Sequence, residues 1–282
     1  MFNRYIRNTI AKRHIAGTDL HNALEICRHV ASKGWSTTIS VWTHPAEDKN
    51  TVAEKYITLL KTISQKNLES YLSIKPHALK FDLNLFEYIC KKIPDNNVRI
   101  HFDSFSPDLA DRTLQYFKQT KKIYNNVGYT IPARWLRSFN DAEQIAGMNV
   151  PVRIVKGQWR DPDDIKIDVE ENFLKIIKIL INKAPLIAIA THDLKLAEKA
   201  IKILGNTKTE FELEQLFSLP IIGKTIQSHF KKLNIKIRLY VPYGEPYLPY
   251  NLRTFNERPA MIAWFIRDLA NVKQRLNFRI SN

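Results

Sequence analysis

Arg253 and Glu257 are the residues of this chain whose types and spacing point most directly to chemistry. Positions four apart share one face of a helix, so a guanidinium and a carboxylate would project together. They belong to the stretch from Arg238 to Pro259, in which an apolar strand-like run ends in a tyrosine-rich Pro/Gly turn. Such a pair beyond a strand can hold an anionic group and a polar ligand side by side. An exposed ion pair on a helix surface also explains the spacing.

Polar side chains also follow the other apolar runs of the chain. Lys, Arg, His and Thr are more frequent there than plain turn residues, which favours a site for phosphate or another anion. Ordinary polar loops are the alternative at each position, and Thr191 can equally cap a helix. Gly157 would let a ligand approach the backbone closely. The residues are Lys75, His101, Asp103, Arg134, Arg137, Lys156, Gly157, Gln158, Trp159, Arg160, Thr191, His192, Asp193, Glu212, Glu214, Tyr243 and Gly244.

Eight short β-branched or apolar runs alternate with segments of helical periodicity. They predict an α/β fold, a (β/α)8 TIM-like barrel with room for distortion, whose last helix packs over the C-terminal rim. The strands read as apolar on both faces, as buried parallel strands do. An open doubly wound sheet is the rival, although no Gly-x-Gly-x-x-Gly follows an early run. The runs are Ser36–Val41, Tyr71–Ile74, Val98–Ile100 continuing to Phe102, Val127–Ile131, Val152–Val155, Leu186–Ala190, Glu210–Leu213 and Ile235–Val241.

Three helices are clear from their periodicity. The first contains Leu20 to Val30, with Thr18 as its predicted cap and Gly34 as its predicted end. The other two are predicted over Val169–Ile181 and Leu194–Leu204.

Composition limits the classes of partner. The 282 residues are 44% hydrophobic and carry a formal net charge of +15. The basic residues are dispersed and not interleaved with aromatics, so we expect a solvated basic surface and no nucleic-acid partner. Cys27 and Cys90 form no disulfide framework, and His192 has no partner at metal-ligand spacing, so no metal is expected. A reducing, cytoplasmic setting fits best.

Residues 1–17 are predicted to form a basic helical lead-in segment, and residues 18–282 a single barrel domain. Phe2, Ile6 and Ile10 are spaced four apart among basic residues, so this segment can contact an anionic membrane surface. It lacks the apolar core of a secretory signal. No apolar run of the chain reaches the roughly 18 residues that span a bilayer.

Four motifs together resemble those of the proline dehydrogenase family of flavin enzymes, in order and across nearly the whole chain. They are Val155-Lys156-Gly157-Gln158-Trp159-Arg160, Ala190-Thr191-His192-Asp193, Phe211-Glu212 through Leu216, and Tyr240-Val241-Pro242-Tyr243-Gly244 followed by Pro-Tyr, Arg253 and Glu257. The last motif is the most specific. Ala16-Gly17-Thr18 and Ser73-Ile74-Lys75 add weaker support.

The resemblance implies FAD on the C-terminal rim of a barrel. Arg153 would lie near the reactive edge of the flavin. Val155, Lys156, Gly157 and Gln158 would line its ring and ribityl chain. Thr191 and His192 would contact the phosphate or adenosine side, and Glu257 the ribityl chain.

The resemblance also implies an amino-acid substrate. Lys75 and Arg253 would bind its carboxylate, while Trp159, Leu216 and Tyr240 would shape the slot over the ring. The catalytic set would be Lys75, Arg153, Tyr240 and Arg253. The expected reaction oxidises L-proline or a related cyclic secondary amine to an imine, pyrroline-5-carboxylate for proline. Electrons would pass to a quinone, which makes peripheral contact with the inner membrane an expectation, and a separate aldehyde dehydrogenase would process the product.

Several positions depart from the family pattern. Thr254 stands where a second arginine is usual, and the strand-three aspartate falls on His101, with Asp103 within a small register shift. Glutamines of strands four and seven fall on Pro132 and Glu214. Gln158 and Trp159 replace an alanine and a tyrosine. These departures support an alternative hypothesis, that of a barrel of the same family with altered or lost catalysis that serves as a binding module.

Overall fold

The computed structural model describes residues 15–93, 98–161, 163, 166–217 and 234–245. Within these ranges, parallel strands close into a barrel in chain order. They are β1 (Ser36–Trp42), β2 (Ser70–Ile74), β3 (Ile100–Phe102), β4 (Val127–Pro132), β5 (Val152–Val155), β6 (Leu186–Ala190), β7 (Glu210–Leu216) and β8 (Ile237–Gly244). β1 closes the barrel against β8, in register from Ser36–Arg238 to Trp42–Gly244. The predicted (β/α)8 TIM-like barrel is confirmed.

Helices pack around the strands. They are α1 (Leu20–Ala31), α2 (Lys49–Gln65), α3 (Leu83–Lys91), α4 (Ala110–Ile123), α5 (Ser138–Ala146), α6 (Val169–Leu180) and α7 (Leu194–Leu204). Their apolar residues recur at helical spacing, so one face is buried: in α6 it holds Phe173, Ile176, Ile177 and Leu180. The predicted helix over the rim lies outside the described residues.

Aspartates begin most of these helices. Asp19, Asp48, Asp82, Asp168 and Asp193 cap α1, α2, α3, α6 and α7 by accepting backbone N–H bonds. The prediction of Thr18 as the cap of α1 was wrong: Asp19 accepts from the Asn22 N–H at 3.0 Å. The predicted end was also wrong, because α1 ends at Ala31 and Gly34, with φ of 74°, lies in the turn that leads to β1.

The strand ends differ from the predicted ones by a few residues. β3 begins at Ile100 rather than Val98, and β8 begins at Ile237 rather than Ile235. Pro132 is the last residue of β4, not a residue beyond it. A proline has no N–H to donate, but the ladder resumes at once, since the Ala133 N–H donates to the Val155 carbonyl at 2.8 Å.

The outer face of the barrel is apolar and carries the main core. Phe102 of β3, for example, packs against Phe86 and Phe117 of the surrounding helices at ring distances of 5.7 and 5.2 Å. Burial of such side chains between strands and helices is the main stabilising contribution to this fold.

The inner face of the barrel is polar, which corrects the expectation of strands that are apolar on both faces. Its buried residues include Thr38, Ser73, His101, Thr130, Arg153, Glu212, Glu214 and Arg238. Contacts between non-adjacent strands locate these side chains inside the barrel: the Tyr71 hydroxyl of β2 donates to Glu214 of β7 at 3.0 Å. Buried charges of this kind persist only when paired, and the strand period of two brings them together.

The segment just before α1 is joined to β8. The Ala16 N–H donates to the Pro242 carbonyl at 2.7 Å, and the Gly244 N–H donates to the Gly17 carbonyl at 3.0 Å. Residues 1–14, most of the predicted lead-in segment, lie outside the described residues. Among the helices that are described, none has the length and apolar character needed to cross a membrane.

Candidate active site

A cavity of about 670 Å³ opens where the strands end. Its lining includes residues at or just beyond the carboxyl ends of β1 to β7, which is where barrel enzymes bind their substrates, and Tyr240 from the middle of β8. The volume falls within the range of small-molecule and cofactor sites. The walls are largely aromatic and aliphatic, and a few charged side chains lie at the base.

Arg153 of β5 is the central charge of this base. Its Nη1 donates to Asp103 Oδ1 at 2.7 Å, and its Nε donates to Glu214 Oε2 at 3.0 Å. The rings of Tyr71 and Tyr240 lie 5.9 and 5.3 Å from the guanidinium carbon, within cation–π range. Although burial alone lowers the pKa of Arg153, Glu214 and the other anionic neighbours hold that pKa well above its ordinary value. The guanidinium is therefore fixed in place and charged.

Asp103 links three strands at the end of β3. Besides Arg153, it accepts from the Ser73 hydroxyl at 2.7 Å and from the Tyr240 hydroxyl at 2.9 Å. Burial, together with the negative charge of Asp103, raises the pKa of Tyr240 well above that of a free phenol. Tyr240 therefore remains a hydrogen-bond donor at physiological pH.

His101 lies below this layer and does not take the place of the aspartate. Its Nε2 lies 3.0 Å from Thr130 Oγ1, and a Cβ added at Gly128 would approach its Nδ1 to 2.4 Å, so only glycine leaves room for the ring. Burial, reinforced by Arg153, lowers the pKa of His101 well below its ordinary value. His101 is thus a neutral core residue.

Lys75 projects into the cavity from the end of β2. Its Nζ donates to the Ser40 hydroxyl at 2.9 Å and lies 3.4 Å from the Val41 carbonyl. Burial lowers the pKa of Lys75; the charge of Asp103 raises it again in part. An ammonium held by one hydroxyl and one carbonyl keeps donor capacity for an anionic ligand.

An aromatic wall, formed by His77, Phe105 and Trp159, flanks the cavity. The ring centroid of Phe105 lies 4.1 Å from that of His77 and 5.4 Å from that of Trp159. Trp135 Nε1 donates to the Trp159 carbonyl at 3.0 Å and fixes its backbone. Burial, followed by the charge of Lys75, lowers the pKa of His77 to about 4, so the wall is uncharged at neutral pH.

The loop after β5 contains Gly157 in a left-handed conformation, with φ of 87°. Its carbonyl accepts from Arg134 Nε at 3.1 Å. An added Cβ would lie 3.0 Å from that of Pro132 and 3.2 Å from that of Arg134, so glycine suits this turn. The turn brings the following residues, Gln158 and Trp159, to the cavity wall.

Lys156 and Thr191 belong to the rim but do not line the cavity. Lys156 Nζ donates to Asp193 at 2.9 Å and lies 3.4 Å from Glu170. The Thr191 hydroxyl accepts from the Asp193 N–H at 3.1 Å, but Asp193 is the cap of α7, so Thr191 holds the capping residue and is not the cap itself. His192 does line the cavity, and its Nε2 accepts from the Leu216 N–H at 3.2 Å.

The family profile described as "Proline dehydrogenase" matches residues 24–261. This chain belongs to the proline dehydrogenase family. The suspected resemblance is thereby confirmed, and the chain is a member of a family of oxidoreductases.

Curated relatives cover almost the whole chain. Proline dehydrogenase 2 of Bacillus subtilis is 27% identical over 95% of this chain and 94% of its own length. Proline dehydrogenase of Deinococcus radiodurans is 21% identical over 92% of this chain and 90% of its own.

Solved structures of similar fold are longer proteins. Proline utilization A from Bdellovibrio bacteriovorus, inactivated by N-propargylglycine, aligns with a TM-score of 0.73 at 17% identity, over 84% of this chain and 31% of its own. The Corynebacterium freiburgense protein of the same name gives 0.67 at 15% identity, over 96% of this chain and 32% of its own. The present chain thus spans about a third of those structures, and at these identities they support the barrel fold of the proline dehydrogenase family.

In the present chain, most of the predicted site residues line one cavity. Its lining contains Lys75, Arg153, Val155, Gly157, Gln158, Trp159, His192, Leu216 and Tyr240. Arg253, Thr254 and Glu257 lie outside the described residues.

Some residues of the site were not predicted as site residues. Ser40 contacts Lys75, and Ser73 contacts Asp103. Tyr71 contacts Glu214. Their signal in the sequence was the alternation of polar with apolar residues along β1 and β2. That signal was weak, because short polar side chains in strands also occur on solvated faces.

Proposed function

We propose that this protein is an FAD-dependent dehydrogenase that oxidises L-proline, or a related cyclic secondary amine, to an imine. For proline the product is pyrroline-5-carboxylate. The observation that carries the proposal is the pairing of family membership with a rim cavity that holds Lys75, Arg153 and Tyr240 together.

The cavity suits a flavin in size and lining. It has the volume of a cofactor site, uncharged aromatic walls and a fixed guanidinium at its base. Arg153, Val155, Gly157, Gln158 and His192 would hold the cofactor, and Glu257 is the proposed ribityl contact. For Lys156 to reach the flavin ring or ribityl chain, it must share its ammonium with Asp193 or leave that carboxylate. When bound, FAD supplies the hydride acceptor.

The substrate carboxylate would be held by Lys75 and by Arg253. A charged donor bonded to a carboxylate fixes the orientation of the substrate more strongly than a neutral donor does. Tyr240, held by Asp103 at 2.9 Å, and Leu216 and Trp159 would confine the ring. These residues orient the carbon that loses hydride and exclude water from it.

The proposed reaction requires an electron acceptor, and its product undergoes a further reaction. We propose a quinone as the electron acceptor, with the basic N-terminal segment contacting an anionic membrane surface. The imine hydrolyses to an aldehyde, which a separate aldehyde dehydrogenase would oxidise.

The absorbance spectrum of the purified protein tests this proposal. We expect yellow protein with flavin absorbance that bleaches anaerobically on addition of L-proline, while D-proline serves as the stereochemical control. Colourless protein that takes up no FAD would eliminate the proposal. Bound flavin that no cyclic secondary amine reduces would favour the alternative of a binding module, which the threonine at position 254 supports.

A further inference from the structure

The base of the cavity holds two carboxylates against one guanidinium. Asp103 lies 2.7 Å and Glu214 3.0 Å from the nitrogens of Arg153, and the side chains of Arg153 and Glu214 are only 4% and 2% exposed. Taken by themselves, two carboxylates and one guanidinium carry one excess negative charge, which the ammonium of Lys75 offsets on the Asp103 side. At this depth, solvent screens the excess weakly.

Glu214 is the less completely bonded of the two carboxylates. Its Oε2 accepts from Arg153 Nε and from the Tyr71 hydroxyl, each at 3.0 Å. Its Oε1 has no hydrogen-bond partner within the described residues, and the residue lines the cavity. A buried carboxylate oxygen without a donor keeps its full negative potential towards its surroundings.

A glutamine would preserve most of this geometry. Its amide oxygen can accept from Arg153 and Tyr71 as Oε2 does, and its size is nearly the same. The carboxylate of Glu214 therefore adds charge rather than shape, and its effect on a bound group is electrostatic.

We propose that Glu214 is a positioning residue that fixes Arg153 and, by its charge, lowers the reduction potential of the flavin that this cavity would hold. The inference rests on the proposed function. A negative charge in a poorly screened site opposes the gain of electrons by a neighbouring group. Asp103 and Glu214 thus keep the directional hydrogen bonding of Arg153 while they offset its charge.

The test is the midpoint potential of the holoenzyme, measured by equilibration with a reference dye after flavin content is determined. For Glu214→Gln we expect a potential higher by about 30 mV, which is a tenfold change in a two-electron equilibrium. Glu210→Gln is the matched control: Glu210 lies on the same strand, its side chain is 68% exposed, and its pair with Lys236 is on the surface. The control should have the wild-type potential.

Each outcome decides the matter. An unchanged or lower potential in Glu214→Gln with normal flavin content overturns the inference but not the proposed function, as does an equal shift in the control. Wild-type protein without flavin overturns both. If Glu214→Gln does not fold, Tyr71→Phe replaces it. Loss of the phenol donor leaves the negative potential of Glu214 less offset, so the reduction potential should fall, and an unchanged or higher value overturns the inference.

Discussion

Asp103 and His101 show how a single residue can be misplaced by motif comparison and still lie on the correct face. Residues two apart in a strand point to the same side. The family aspartate falls on His101 in sequence, but Asp103 contacts Arg153 and Tyr240. A shift of two residues places the carboxylate nearer the C-terminal rim and keeps it on the inner face of the barrel. Sequence comparison predicted the carboxylate and its side of the sheet, but its depth depends on where β3 ends.

At the same scale, Lys75→Met should weaken binding of the substrate carboxylate. Loss of a charged hydrogen bond costs about 1.5–3 kcal/mol, so KM for proline should rise roughly 10- to 100-fold, while kcat changes less. Steady-state kinetics at neutral pH measure both. Lys61→Met, an exposed lysine of α2, is the control and should leave both constants unchanged. Equal KM values for Lys75→Met and wild type would exclude the proposed carboxylate contact.

The pH dependence of ligand binding gives a second prediction for Lys75. Burial lowers its pKa, so the ammonium loses its proton at a lower pH than an exposed lysine does. Binding of a carboxylate ligand should be full below that pKa and should weaken as pH rises through it. Tetrahydrofuran-2-carboxylate is a suitable probe, because it lacks the titrating amine of proline. Titrations should show this loss in wild type and not in Lys75→Met; identical profiles would rule out Lys75 as the titrating group.

At the scale of elements, periodicity predicted the centres of helices and strands better than their ends. α7 was predicted at its observed bounds, and α6 within one residue, because buried apolar residues recur along both. The predicted cap of α1 was wrong because Thr18 and Asp19 are both good capping residues, and only the path of the chain decides between them. The sequence singled out the loop after β5 through Gly157, but the anchoring of this loop by Arg134 depends on a neighbouring loop and has no local signal.

Gly157→Ala should destabilise this element. The residue has φ of 87°, and an added Cβ would press on Pro132 and Arg134 at 3.0 and 3.2 Å. We expect a loss of about 1–3 kcal/mol in the free energy of unfolding, measured in urea. Gly147→Ala is the matched control, since Gly147 has φ of −76° and open space around its Cα. That variant should be unchanged or slightly more stable; a similar loss in both would show that the left-handed turn is not the cause.

At the scale of the whole molecule, closure of the barrel creates the polar interior. Arg153, Glu212, Glu214 and Arg238 are separated along the chain, and charged residues in a strand are usually read as exposed or rim-facing. Strand pairing places Arg238 Nε 2.8 Å from Glu212 of the neighbouring strand β7, whereas closure of β8 on β1 places its Nη1 2.7 Å from the Thr37 carbonyl. The sequence therefore predicted the barrel, but not the ion pairs inside it, because those pairs depend on contacts between distant segments.

Arg238→Met should test how strongly this closure depends on its buried charge. The guanidinium joins β7, β8 and β1, and its loss leaves Glu212 buried without an ion-pair partner among the described residues, which costs about 3–5 kcal/mol. Urea unfolding should show this loss, whereas Lys236→Met, which removes the exposed pair with Glu210 between the same two strands, should change stability little. Adding Glu212→Leu to Arg238→Met removes the orphaned charge and should restore part of the stability. If Arg238→Met were as stable as Lys236→Met, the buried contacts of Arg238 with Glu212 and Thr37 would contribute little to closure of the barrel.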